Sequence, residues 1–150
     1  TRASEEPPTD TADAQYQHID THFNSSRLDG QFRVESGCFS RDRERNAATA
    51  NAYGIEPDRV HADWQTLVDT ERARIDALVV LTPTPDHFAI VGAALERGIP
   101  VICEKALALS SAECRQLDEL VARHRGFLAV TYNYSGYPMV RELRQMIAAG

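Results

Sequence analysis

The stretch from Asp76 to Leu107, DALVVLTPTPDHFAIVGAALERGIPVICEKAL, decides the fold, because it reads as one complete strand-helix-strand unit. Ala77 to Leu81 is an unbroken apolar run, the pattern of a strand buried on both faces of a parallel sheet. Pro83 and Pro85 stop it. From Asp86, the residues Phe88, Val91 and Leu95 recur at i, i+3 and i+7 and line one helix face, and Gly98 follows where a left-handed cap is wanted. Ile99 to Cys103 is a second apolar run, and a crossover of this length brings it back parallel to the first in the right-handed sense. Thr82, His87, Glu104 and Lys105 then gather at the carboxyl edge of the sheet, where open parallel sheets bind ligands.

Outward from this unit, strands and helices keep alternating. Downstream, Ser110 and Glu113 have capping-box spacing, with Cys114, Leu117 and Val121 on one face and Gly126 closing the helix. Phe127 to Val130 reads as the next strand, and Pro138 opens a last helix with Val140, Leu143 and Ile147 expected to face inward. Upstream, Tyr16, Ile19 and Phe23 mark a helix closed by Asp29-Gly30, and Phe32 to Cys38 alternates as a strand. Ser40 is expected to cap a helix whose Ala47, Ala48, Ala50 and Ala52 allow close packing before Gly54 ends it. Arg59 to Ala62 is a short strand candidate, and Asp63 caps a helix carrying Trp64, Leu67 and Val68. Residues 1–15 hold almost nothing apolar and are expected to be a disordered lead. The alternation predicts a doubly wound α/β parallel sheet over residues 16–150 as one domain.

Composition narrows the class of function. A chain of 150 residues with 43% hydrophobic and 25% charged content suits a globular domain with a real core. A formal net charge of -6 argues against a general nucleic-acid or membrane-surface role, which needs clustered Lys and Arg. No apolar run approaches the ~18 residues of a membrane span. Cys38, Cys103 and Cys114 are odd in number and lack metal-ligand spacing, so they read as buried apolar residues in a reducing, cytoplasmic setting. His18 and His22 in HIDTH stand four apart on one helix, as two zinc ligands can, but neither the metalloprotease glutamate nor a third ligand accompanies them. No metal is expected. Ser135 in YSG lacks the first glycine of a hydrolase nucleophile elbow.

Three ordered motifs carry a family likeness: TPTPDHF at Thr82 to Phe88, CEKAL at Cys103 to Leu107, and VTYNYSGYPMVR at Val130 to Arg141. With RLDG at Arg27 to Gly30, SRDRER from Ser40 and HADW from His61, the chain resembles the glucose-fructose oxidoreductase and inositol dehydrogenase (Gfo/Idh/MocA) family from Tyr16 to Gly150. The resemblance implies a Rossmann domain of an NAD(P)-dependent oxidoreductase acting on sugars, cyclitols or related polyols, with the substrate domain elsewhere. Lys105 resembles the lysine of the family's Glu-Lys-Pro motif, where a cation polarises the reacting hydroxyl or shares its proton. Glu104 would orient it, or the two form a solvated pair after a strand. Thr82 and Pro83 resemble the Thr-Pro that borders the nicotinamide half of the site. His87 resembles the family's histidine one turn into the helix, and is either a cofactor contact or a helix-entry histidine bonded to backbone. Asn133 and Tyr134 either face substrate or pack the last strand.

Two departures stand out. Ala106 replaces the family's proline, and no strand with a G-x-G-x-x-G loop, which would hold a pyrophosphate, is found in these residues. The sheet is therefore expected to be incomplete at the N-terminus. A second reading of the chain is an inactive Rossmann-like relic that serves as a binding or assembly module. Ser40-Arg41 fits the 2′-phosphate of NADP through charge-assisted bonds, although the same arginines also suit a solvated helix start. NADP or NAD is the expected cofactor, a small polyol or sugar the expected partner, and a homo-oligomer is allowed.

Overall fold

The computed structural model describes Phe23, Asn24, Ser26, Leu28 and residues 30–150. The lead over residues 1–15, most of the helix expected from Tyr16, and the HIDTH pair lie outside these. The chain divides into two compact units, meeting in sequence between Ala62 and Asp63.

The second unit, Asp63–Gly150, contains the strand-helix-strand core. Its strands β1 (Leu78–Val80), β2 (Val101–Glu104) and β3 (Leu128–Thr131) form a parallel sheet in the order β1-β2-β3. The register aligns Val80 with Cys103 and Cys103 with Val130. β1 covers only the middle of its apolar run, and β2 starts only after Pro100, which has no N–H to give the ladder. Its carbonyl still accepts from the N–H of Leu78 at 2.8 Å.

The crossover helices pack with their apolar stripes against this sheet and one another. Ile90, Val91, Ala94, Leu95, Ile99, Val101, Cys103 and Leu117 are all buried. Each large aliphatic side chain buried here contributes about 1.5–3 kcal/mol of transfer free energy. The burial is one-sided at β1: Val80 is covered, whereas its neighbour Val79 points to the opposite face and is 46% exposed. The two-faced burial expected of that run is not met, because within this unit no other layer closes over Val79.

Each helix end has a local cause. The first of the crossover pair, Thr84–Glu96, begins after Pro83, which stands at the N-cap, and stops at Gly98 with φ 76°. The second, Ser111–His124, has the full capping box: Ser110 Oγ accepts from the N–H of Glu113, and the Glu113 carboxylate accepts from the N–H of Ser110. Its left-handed cap residue is Arg125, at φ 50°, and not Gly126. Gly126 instead comes close to the core, and a Cβ there would lie 3.0 Å from a Leu95 methyl. Ahead of the sheet, the helix Trp64–Glu71 is capped by Asp63 and buries Leu67 and Val68. At the chain's end the helix Pro138–Ala149 forms as expected, but its apolar stripe does not face inward: Leu143 is 54% and Ile147 73% exposed and Val140 half-buried. Amphipathicity sets which face is apolar, and only an apposed element buries it.

In the first unit the segment from Phe32 to Cys38 and the segment from Arg59 to Ala62 were expected as strands, and they meet in a single parallel bridge, Gly37 to Val60. The bridge rests on the Gly37 N–H donating to the Arg59 carbonyl at 3.2 Å and the His61 N–H donating to the Gly37 carbonyl at 2.9 Å, and among the described residues this short pairing does not make either segment a regular strand. The helix α1 (Arg43–Ala52) follows, ending before Gly54 at φ 70°. Its cap is Asp42, whose carboxylate accepts from the N–H of Arg45 at 2.9 Å; Ser40, the expected cap, lies two residues outside and accepts from the N–H of Asp42. Asn46, Thr49 and Ala50 form its buried face, while Ala47, Ala48 and Ala52 are exposed.

Candidate functional site

Three consecutive parallel strands end side by side, so whatever follows each of them shares one edge. Adjacent strands lie about 4.8 Å apart, which puts the ends of β1 and β3 within about 10 Å. Thr82-Pro83 follows β1, Glu104-Lys105 closes β2 and follows it, and Asn133-Tyr134 begins the 3-10 turn after β3. Thr131 Oγ1 donates to the Cys103 carbonyl at 3.4 Å, holding the ends of β2 and β3 together.

Lys105 is exposed. The carboxylate of Glu104 accepts from its backbone N–H at 3.0 Å. That bond places the lysine's main chain, where the sequence suggested an effect on its side chain. The peptide bond from Lys105 to Ala106 is cis. Beside this pair, Cys103 is fully buried, and burial together with the negative charge of Glu104 pushes its thiol up to about 12. It is a protonated apolar residue and not a nucleophile.

His87 is 1% exposed, on the first turns of the crossover helix. Its Nδ1 lies 2.8 Å from the Ala106 carbonyl oxygen and its Nε2 2.6 Å from the Thr82 carbonyl oxygen. Of the two sequence readings, backbone bonding is what this geometry contains. Thr82 carries a second feature: its Oγ1 is buried and is the one such side-chain atom without a hydrogen-bond partner among the described residues. A buried hydroxyl without a partner costs free energy unless a ligand or water completes it.

Asn133 and Tyr134 are both exposed on the turn Asn133–Gly136, where Asn133 Oδ1 accepts from the N–H of Tyr134 at 3.0 Å. The Tyr134 ring meets that of Tyr137 edge to face, with centroids 5.5 Å apart.

Ser40 and Arg41 belong to the first compact unit, Arg41 exposed and Ser40 half-buried. Sequence reasoning missed the residue that orders this region. Asn46 is buried; its Oδ1 accepts from the N–H of Phe39 at 2.7 Å and its Nδ2 donates to the His61 carbonyl at 2.8 Å. It brackets the two segments that converge beside the Gly37 bridge, just before Ser40. Nothing in NAATANA marks an asparagine as a tie between segments far apart in sequence. The only available signal was that an amide on an alanine-rich helix face needs a partner if buried.

The family model described as "Oxidoreductase family, NAD-binding Rossmann fold" matches residues 14–132. The chain is 35% identical over 122 residues to an uncharacterized oxidoreductase, YfiI, of Bacillus subtilis, covering 79% of this chain and 31% of the relative. It is 34% identical over 125 residues to inositol 2-dehydrogenase 4 of Saccharopolyspora erythraea, covering 83% of this chain and 35% of the relative. It thus spans about a third of the length of these curated relatives. Among solved structures, an inositol dehydrogenase homolog from Azotobacter vinelandii complexed with NADH and myo-inositol superposes with a TM-score of 0.80 at 36% identity, over 88% of this chain and 36% of that one. With a family match over most of its length and a parallel sheet of the same architecture, the chain belongs to the Gfo/Idh/MocA oxidoreductase family, whose fold is the NAD-binding Rossmann fold.

Proposed function

We propose that this chain, in its complete protein, is the cofactor-binding part of an NAD(P)-dependent oxidoreductase that moves hydride between the nicotinamide and a hydroxyl carbon of a sugar, cyclitol or related polyol. The observation that carries the reading is the alignment of three strand ends, which gives Thr82, Lys105 and Asn133 a common edge. Family membership supports the reaction class, and the names of the inositol dehydrogenase relatives support the polyol class.

The residues present fit a nicotinamide at this edge, because the buried Thr82 hydroxyl lacks a partner that a bound group would supply. When bound, the nicotinamide supplies the two-electron hydride chemistry. Thr82 and Pro83 border it, and exposed Lys105 meets the substrate hydroxyl. In the oxidising direction its amine would take the hydroxyl proton as hydride leaves the carbon for the nicotinamide; in the reducing direction its ammonium would stabilise the negative charge that develops on the carbonyl oxygen as hydride arrives, and return that proton. Asn133 and Tyr134 are the substrate-facing residues from the third strand end. Within the first unit, Ser40 and Arg41 are by their chemistry suited to a ribose 2′-phosphate. These 150 residues contain no G-x-G-x-x-G loop for the pyrophosphate, so alone they are expected to show no saturable NAD(P)H fluorescence change.

The test is cofactor titration of the complete protein followed by oxidation of a panel of cyclitols and aldoses with NAD and with NADP. Saturable cofactor binding with polyol-dependent reduction is expected. Binding without turnover on any polyol would favour the relic reading, which Ala106 in the family's proline position also suits. Absence of binding would refute the proposal.

A further inference from the structure

We propose that His87 is a positioning residue for Lys105, a two-point strut between the strand end that carries Thr82 and the loop that carries the lysine. The proposal rests on the reading of Lys105 given above. A carbonyl oxygen only accepts, so the Nδ1 contact to Ala106 at 2.8 Å and the Nε2 contact to Thr82 at 2.6 Å are both hydrogen bonds when each ring nitrogen carries a proton. The imidazole is rigid and buried, and it sits on a helix anchored one turn later by Ile90 and Val91. It therefore sets the separation of two main-chain oxygens from a fixed platform.

The consequence for Lys105 follows from where the bonds fall. Its own side chain is exposed, so the main chain that bears it sets its place. That main chain is held on both sides: Glu104 accepts the lysine's N–H, and His87 engages the carbonyl of the next residue, Ala106. Through Nε2 the same ring reaches the carbonyl of Thr82, whose hydroxyl is the group awaiting a partner. One side chain thus ties the proposed cofactor border to the proposed proton-sharing lysine. Misplacement of a reacting group by about 1 Å can cost two orders of magnitude in rate, so such a strut acts on kcat.

The experiment uses the complete protein with His87→Leu, which removes both donors, and His87→Gln, which keeps an amide donor if the leucine variant does not fold. Expected are a kcat lowered at least tenfold in His87→Leu, cofactor affinity and substrate KM changed less than about twofold, and partial recovery in His87→Gln. Adding His87→Leu to Lys105→Ala should cost nothing further, because a strut acts only through the lysine. One readout does not need activity: the Lys105 amide should exchange faster in the variants. Unchanged exchange of the Lys105 amide, or full additivity with Lys105→Ala, overturns the strut. A protein without dehydrogenase activity refutes the proposed function instead, and the amide-exchange readout then decides the strut alone.

Discussion

The carboxylate of Glu104 accepts the backbone N–H of Lys105 at 3.0 Å, and the same carboxylate raises the thiol of buried Cys103 next to it. One charged group therefore acts on both of its neighbours, holding the lysine's main chain and adding to the burial that keeps the cysteine protonated. Because burial is the larger cause, Glu104→Gln should bring the Cys103 thiol down only in part. Alkylation of native protein at about pH 10 should modify Cys103 slowly in the wild type and faster in Glu104→Gln. Equal rates would mean that the charge of Glu104 does not reach the sulfur.

The raised thiol also fixes a pH dependence of stability. Unfolded, Cys103 ionises near its ordinary 9.0, whereas folded it ionises near 12, so between these values the unfolded chain releases a proton that the native one keeps. Stability should fall as pH rises through that window and be unaffected by this group below it. Urea unfolding at about pH 8 and about pH 10 should show a larger loss for the wild type than for Cys103→Ala. A parallel loss in both would remove the thiol from the account.

Two left-handed positions predict opposite effects. Gly98 has φ 76° with open space where a Cβ would go, so Gly98→Ala should cost about 1–2 kcal/mol from the backbone alone. Arg125 already bears that strain at φ 50°, and Arg125→Gly should stabilise by up to about 1 kcal/mol. Thermal midpoints of the pair check both signs, and a stabilising Gly98→Ala would contradict the assigned conformation.

Arg41 is the proposed partner of a phosphate that NADP has and NAD lacks. Arg41→Ala should weaken NADP binding by about tenfold and leave NAD nearly unchanged, as read by fluorescence titration of the complete protein. Equal losses would assign the arginine to structure.

Much of the second unit was legible because its signals are local. The Ser110 and Glu113 spacing specified a capping box, the run ending at Cys103 specified a strand, and Gly98 marked a helix end. What was not legible depends on partners distant in sequence. Phe32 to Cys38 alternates like a strand, but alternation does not supply a neighbour, and among the described residues its ladder is the single bridge from Gly37 to Val60. The stripe of Val140, Leu143 and Ile147 announced an apolar face without saying whether anything covers it. His87 was legible as a position of interest, whereas its engagement with Ala106, nineteen residues away, follows only from the folded loop.

The central claim is that Lys105 acts on the reacting hydroxyl, and single-turnover hydride transfer by Lys105→Ala in the complete protein tests it most directly. The rate constant should fall at least tenfold, about 1.4 kcal/mol in barrier, with cofactor affinity unchanged. A variant that transfers hydride at the wild-type rate would contradict it.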